Sequence, residues 1–311
     1  MSLKKSTVMD PDALYSVRSL FYLGHFKLAL SESNSVPRSL NSESKLELQT
    51  FLLRSQIGLS NYSAVLQSVS PTESEPALLS IRLLAQYLSN PLDEANTSEI
   101  AASLSSLLSN NNSSNPTLQL VASQIYLKMN NTSAALQQVH LGATMEHLAQ
   151  CAEIHLNMGR RDLAKEDLSV MQRGADDAIL TQLVNVWVSI KGGAGECENA
   201  VYILNMLSEQ YGPSVSLLNS LAVAKMGEGD WAGAESKLLE ALSESESVGE
   251  NDNANSLINL VACYSHMGEG KKDKLGEYLM RLKEEYKEHD FVVRLGVVEG
   301  AFDRVSVKFG Q

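Results

Sequence analysis

The sequence predicts an all-α fold, a solenoid of helix–turn–helix hairpins, and three observations lead there. A small or turn-forming residue recurs at near-constant spacing and is followed five places later by Ala or Val. Leu, Ala and Ser are abundant, while aromatics are 6% of the 311 residues and prolines only 7, a composition that favours helices over strands. No linker divides the chain into two independent cores, although 44% hydrophobic residues supply ample core material. A length of 311 residues fits about two domains or one extended array, and the continuity favours the array.

The recurring anchors are Gly24, Ser60, Asn130, Gly159, Gly195 and Gly229. Each precedes a small or β-branched residue: Ala29, Val65, Ala135, Ala164, Ala200 and Ala234. The separations are 36, 70, 29, 36 and 34 residues. The gap of 70 is twice 35, so a degenerate unit is expected near residue 95, and a weaker anchor follows at Gly268. This period matches the ~34-residue tetratricopeptide unit. The steric logic is simple. The turn residue leaves right-handed helical space and ends helix A of the hairpin. An aromatic after the turn packs back on helix A, and the small residue five places on lets helix B come close. Gly229-Asp230-Trp231-Ala232-Gly233-Ala234 is the best match, whereas Thr132 and Arg161 stand where an aromatic is expected.

In order, the helix pairs are expected at 12–22 and 26–34, 42–58 and 61–69, and 77–89 and 97–108. They continue at 116–129 and 132–140, 145–157 and 160–172, and 176–190 and 196–210. The last pairs are 214–227 with 230–243 and 254–267 with 274–287. Pro37, Pro71, Asn90-Pro91, the Asn/Ser tract 109–115, the Gly-rich turn 192–195 and the Ser/Glu stretch from 243 punctuate them. The organisation expected is a tail at 1–11, the tetratricopeptide-like α-solenoid at 12–289, and a capping helix with a short tail at 290–311.

The charge sum, 25 Lys and Arg against 37 Asp and Glu, gives −12. Such a chain is poorly suited to gripping a phosphate backbone, so no nucleic-acid partner is expected. Cys151, Cys197 and Cys263 are odd in number, widely separated and form no CxxC pair. That speaks for a reducing compartment and against a zinc cage. No apolar run approaches the ~18 residues of a membrane span. Met1–Asp10 has two lysines without an apolar stretch, so no secretory signal is expected.

Catalytic and cofactor signatures are missing. His147, Cys151 and His155 recur every four residues, yet the outer two are ~12 Å apart along a helix and cannot share one ion. Packing is the better reading for all three. Lys191-Gly192-Gly193-Ala194-Gly195 is Gly-rich but lacks the following Lys-Ser/Thr of a phosphate loop. There is no GxSxG elbow. Asp176-Asp177 sits where a helix begins and complements its dipole. A protein without turnover, cofactor or resident metal is therefore expected, one that works through its surface.

In a solenoid the A helices line the concave side. Groove positions thirteen, ten and six places before each anchor give Gln182, Asn185 and Ser189, then Ser216, Asn219 and Val223, then Asn255, Ile258 and Ala262. Recurring amides both donate and accept, which suits capture of a partner's backbone. Exposed polar surface is the plain alternative. Arg18 and Arg54 occupy equivalent places in early units. Basic groove residues would suit a co-chaperone that clamps an acidic peptide, but the best units offer Asn, Gln and Ser instead.

The stretch from Met171-Gln172-Arg173-Gly174-Ala175-Asp176-Asp177 to Trp187 resembles a hallmark of the coatomer epsilon subunit family. Phe21-Tyr22-Leu23-Gly24, Ala200–Met206, Leu257–Val261 with His266-Met267-Gly268, Tyr278–Lys283 and Phe302-Asp303-Arg304 extend the likeness over nearly the whole chain. The loops 109–115 and 243–250 depart from it. The resemblance implies a non-enzymatic subunit of the COPI vesicle coat. It implies helical repeats curled around the C-terminal region of the coatomer alpha subunit, with the beta-prime subunit in the same subcomplex. It further implies a cytoplasmic protein, peripheral on Golgi and COPI vesicle membranes through the coat alone. Its work would lie in Golgi-to-ER retrieval and intra-Golgi transport. A tetratricopeptide adaptor or co-chaperone for another partner is the alternative.

Overall fold

Turn chemistry and small-residue spacing build the hairpins. A computed structural model describes residues 12–37, 39–109, 114–248 and 253–309. The tail expected at 1–11 lies outside the described residues, as do 110–113 of one loop and 249–250 of the other. Among the described residues the regular structure is helical. The hairpins are α1 (Tyr15–Tyr22) with α2 (Phe26–Glu32), α3 (Ser42–Gly58) with α4 (Tyr62–Ser68), and α5 (Pro76–Ser89) with α6 (Glu94–Ser109). Next come α7 (Pro116–Lys128) with α8 (Thr132–Val139), α9 (Met145–Asn157) with α10 (Arg161–Ala175), and α11 (Ile179–Ile190) with α12 (Ala194–Tyr211). Then follow α13 (Val215–Glu228) with α14 (Trp231–Val248), α15 (Ala254–Met267) with α16 (Lys272–Glu285), and a last helix, α17 (Asp290–Phe309). The degenerate unit expected near residue 95 is the α5–α6 hairpin.

Local chemistry explains the limits. Asn41, Asn115, Thr144 and Ser214 accept N-cap hydrogen bonds from Ser44, Leu118, His147 and Leu217 backbone N–H groups. Pro76 and Pro116 occupy first-turn positions, where a missing N–H costs nothing. Gly24, Ser60, Asn130, Gly159 and Gly229 all have positive φ, as the turn logic requires. The Gly195 anchor is corrected. Gly193 has the positive φ of 85°, and Gly195 lies within the first turn of α12. The extra residues of the Gly-rich loop shift the turn without disturbing the packing residue. Ala29, Val65, Ala135, Ala164, Ala200 and Ala234 are all fully buried.

The aromatic rule also needs correction. Phe26 does pack back, edge-on to Phe21 at 5.8 Å. It also lies over Gly58 of the following hairpin, where a Cβ would stand 2.6 Å from its ring. Trp231 instead stacks on His266 of α15, with centroids 4.5 Å apart and planes 6° from parallel. It therefore joins successive repeats.

Successive A helices touch one another from α1 through α15. This crowding on one side of the array bends it toward the A-helix side. The bend brings α1 against α11. Leu23 enters the buried cluster built by α11, α12 and α13. The Ser214 hydroxyl donates to the Leu23 carbonyl at 2.5 Å, and His25 Nε2 lies 3.2 Å from the Gly212 carbonyl oxygen. The solenoid is thereby clasped to itself.

Candidate functional site

Two cavities lie along the A helices on either side of the clasp. The first, about 430 Å3, is bounded by Gly24, Phe26, Gly58 and Leu59 on one side and by α13 and α15 on the other. Ser216, Asn219, Val223 and Asn255 line it, so four of the expected groove residues come together. Gln182, Asn185, Ser189 and Ile258 are not part of its lining. Ser189 is buried, and its hydroxyl donates to Asn185 Oδ1 at 3.3 Å while accepting from Asn199 Nδ2 at 3.1 Å. Ile258 packs into the cluster shared by α13, α14 and α15.

Asn219 is more occupied than its sequence position suggests. Its Nδ2 donates to the Val215 carbonyl at 2.9 Å and to the Ser256 hydroxyl at 2.8 Å. Its Oδ1 accepts from Asn259 Nδ2 at 3.0 Å. The amide row ties α13 to α15 and sets the separation of two A helices. Asn255 and Ser216 are the exposed polar groups of this wall.

The second cavity, about 460 Å3, is lined by α1, α3 and the N-terminal ends of α5, α7 and α9. Its two arginines are paired with acids of the protein itself. Arg18 bridges Asp12 and Glu47, each at 2.9 Å. Arg54 grips Glu146 through both carboxylate oxygens, at 2.7 and 3.3 Å. The Arg54 guanidinium also lies 4.7 Å from the Phe21 ring centre and 5.3 Å from that of Phe51. Burial pushes the Tyr22 hydroxyl pKa upward, and the nearby Glu146 charge adds to it. Burial likewise raises the Glu47 carboxyl above the usual range, against the pull of Arg18. The two basic groove residues are thus engaged by the protein's own acids, which leaves neither as a free carboxylate clamp.

Sequence reasoning did not find this second wall as a unit. Arg54 and Glu146 are 92 residues apart, and only the bend unites them. The periodic groove rule did flag Arg18 and Arg54 individually.

His147, Cys151 and His155 each have a separate partner. His147 Nδ1 meets the Thr144 hydroxyl at 2.6 Å, Cys151 Sγ donates to the Val139 carbonyl at 3.3 Å, and His155 Nδ1 meets Asp167 at 2.7 Å. Burial, with Asp167 nearby, pushes the Cys151 thiol up to about 12, which keeps it an unreactive packing group. No group of three or more metal-binding side chains occurs among the described residues.

A family model for the coatomer epsilon subunit matches residues 10–310. The chain belongs to the coatomer epsilon subunit family. Coatomer subunit epsilon-2 of Arabidopsis thaliana is 32% identical over 94% of this chain and 96% of that protein. Coatomer subunit epsilon of Dictyostelium discoideum is 28% identical, over 97% of this chain and all of that protein. A tetratricopeptide repeat protein from Parabacteroides merdae shares the fold, with a TM-score of 0.57 at 15% identity over 81% of this chain and 94% of that one. The family and the fold make the chain a non-enzymatic structural subunit that works within the coatomer complex. Among the described residues no helix is long and apolar enough to cross a membrane.

Proposed function

We propose that this coat subunit binds and stabilises the C-terminal region of the coatomer alpha subunit along its curved A-helix surface. The beta-prime subunit joins the same subcomplex, which serves Golgi-to-ER retrieval and intra-Golgi transport. The protein sits on the cytosolic side of Golgi and COPI vesicle membranes, held there by the coat. One observation carries the reading: the array closes on itself beside two cavities along the A helices, and the Asn219 amide and the Arg54 guanidinium in their walls are already held by the protein's own groups. A pre-organised wall loses little conformational freedom on binding. The overall charge of −12 favours a neutral or basic contacting face on the partner.

The co-chaperone alternative requires unpaired basic groove residues, and Arg18 and Arg54 are paired. The test is calorimetric titration of the full chain with the C-terminal region of the coatomer alpha subunit. Val223→Arg and Asn255→Arg should each weaken binding by about tenfold or more, since a charge placed on a contact surface is left without a partner. Co-expression should also raise the melting temperatures of both proteins. Unchanged affinity in both variants would remove this hollow from the contact.

A further inference from the structure

We propose that the first cavity is a composite docking surface, complete only when the clasp is closed, so that capture of an uncharged partner segment and closure of the array are one linked equilibrium. The inference rests on the proposed binding of the alpha subunit and deepens it. It makes Leu23 a positioning residue for a surface that it does not line.

The two sides of the cavity come from distant parts of the chain. Gly24, Phe26, Gly58 and Leu59 belong to the first two hairpins, and Ser216, Val223 and Asn255 to the seventh and eighth. Each side is fixed locally. The Phe26 ring lies over Gly58, and the Asn219 amide row holds α13 to α15. Between the sides, the clasp supplies the hold: Leu23 in its cluster, the Ser214 hydroxyl on the Leu23 carbonyl, and His25 beside the Gly212 carbonyl. Gly24 follows Leu23 in the chain and stands against Ser216, two residues beyond Ser214. The groups that close the array are thus next in sequence to groups that line the cavity. Opening the clasp draws the two sides apart. A segment that touches both sides binds the closed form better, and by linkage it stabilises that form by the same differential affinity.

The lining selects the chemistry of the occupant. No residue that lines this cavity is ionisable, in contrast to the second cavity with its arginines and glutamates. Phe26, Leu59 and Val223 offer apolar contact, while the exposed Ser216 and Asn255 offer a hydroxyl and an amide. A charged side chain desolvated here would find no counter-charge. Backbone N–H and C=O groups would find both an acceptor and a donor. The occupant is therefore an uncharged stretch of the alpha-subunit region, apolar toward the first two hairpins and presenting its backbone to α13 and α15.

The experiment places spin labels on the full chain through Leu28→Cys and Pro213→Cys, exposed positions on opposite sides of the clasp and outside the cavity lining. The three native cysteines are buried. Label distances are read together with calorimetric titration against the C-terminal region of the coatomer alpha subunit. The otherwise wild-type chain should give one short distance. Leu23→Ala, and more so Leu23→Asp, should add a longer one, and affinity should fall in proportion to the closed fraction, by about tenfold where a tenth of the molecules remain closed. Saturating partner should return both variants to the short distance, which a merely structural role for Leu23 would not do. Val223→Glu should weaken binding as Val223→Arg does. Full affinity in a variant dominated by the long distance, a long distance that persists under saturating partner, or a short distance alone in both Leu23 variants would overturn the coupling. A gain in affinity from Val223→Glu would mean a basic occupant and overturn the uncharged one. Any of these outcomes with wild-type binding intact sinks this inference alone, whereas a wild type that fails to bind the alpha-subunit region sinks the proposed function and this inference with it.

Discussion

The two ends of this array use the same hairpin chemistry and finish it differently. At the N-terminal end, α1 and the turn after it fold back onto helices as far as 191 residues away, and Leu23 is buried among them. At the C-terminal end, α17 leaves a row of large apolar side chains in water. The first end satisfies its open face with the protein's own chain. The second leaves its apolar row uncovered among the described residues. Stability should therefore concentrate at the clasp, while truncations of the exposed side chains of α17 should cost little.

The largest expected break in this contrast is Arg54→Ala. It leaves the Glu146 carboxylate largely desolvated and without its bidentate partner. Thermal unfolding should show a loss of about 3 kcal/mol. The apolar pair Arg54→Leu, Glu146→Leu should recover much of it, because the burial cost of both charges disappears together. Leu23→Ala follows, at about 2 kcal/mol, the low end for a buried Leu→Ala change, as the side chain leaves a cavity among α11, α12 and α13. Small-angle scattering should then show an opened, larger particle. Phe302→Ala serves as the counterpart at the other end and should cost less than about 0.5 kcal/mol. Equal losses at Leu23 and Phe302 would erase the distinction between the ends.

Gly24→Ala tests the clasp from its backbone. The residue has φ of 81°, and a Cβ there would stand 2.7 Å from the Ser216 Cβ. The left-handed conformation alone costs about 1–2 kcal/mol for a residue other than glycine. Adding Ser216→Gly should return the crowding part and leave the backbone part. Recovery to wild-type stability would place all the strain in the side-chain contact.

The hairpins were readable in the sequence because each rests on neighbours a few residues apart. The limits of α3 and α9 agree with expectation, since Asn41 and Thr144 are strong N-caps and their turn residues have few alternatives. The offset at Gly193 came from a loop with several glycines, where the count back from Ala200 cannot tell which glycine takes the left-handed turn. The closure was hidden for a different reason. A repeat period reports what each unit does to the next, while the meeting of Leu23 with α13 depends on bends summed over five units. The groove suffered likewise. Asn219 reads as a free surface amide until α15 arrives beside it and uses both its ends.

The smallest effect expected is a pH dependence at the clasp. Burial lowers the His25 pKa below its ordinary 6.5, opposed by the contact with the Gly212 carbonyl and the charge of Glu244. The folded state therefore prefers the neutral imidazole. As pH falls through 6.5, the unfolded chain takes up the proton first, and folding stability declines until the lower folded value is passed. His25→Gln keeps a donor for the Gly212 carbonyl and cannot titrate. Thermal unfolding from pH 7.5 to 5 should show wild type losing ground to that variant only below about pH 6.5. A gap that is constant with pH would mean the imidazole gains and loses its proton equally well in both states, and the clasp would then be held by Leu23 and Ser214 without a titrating part.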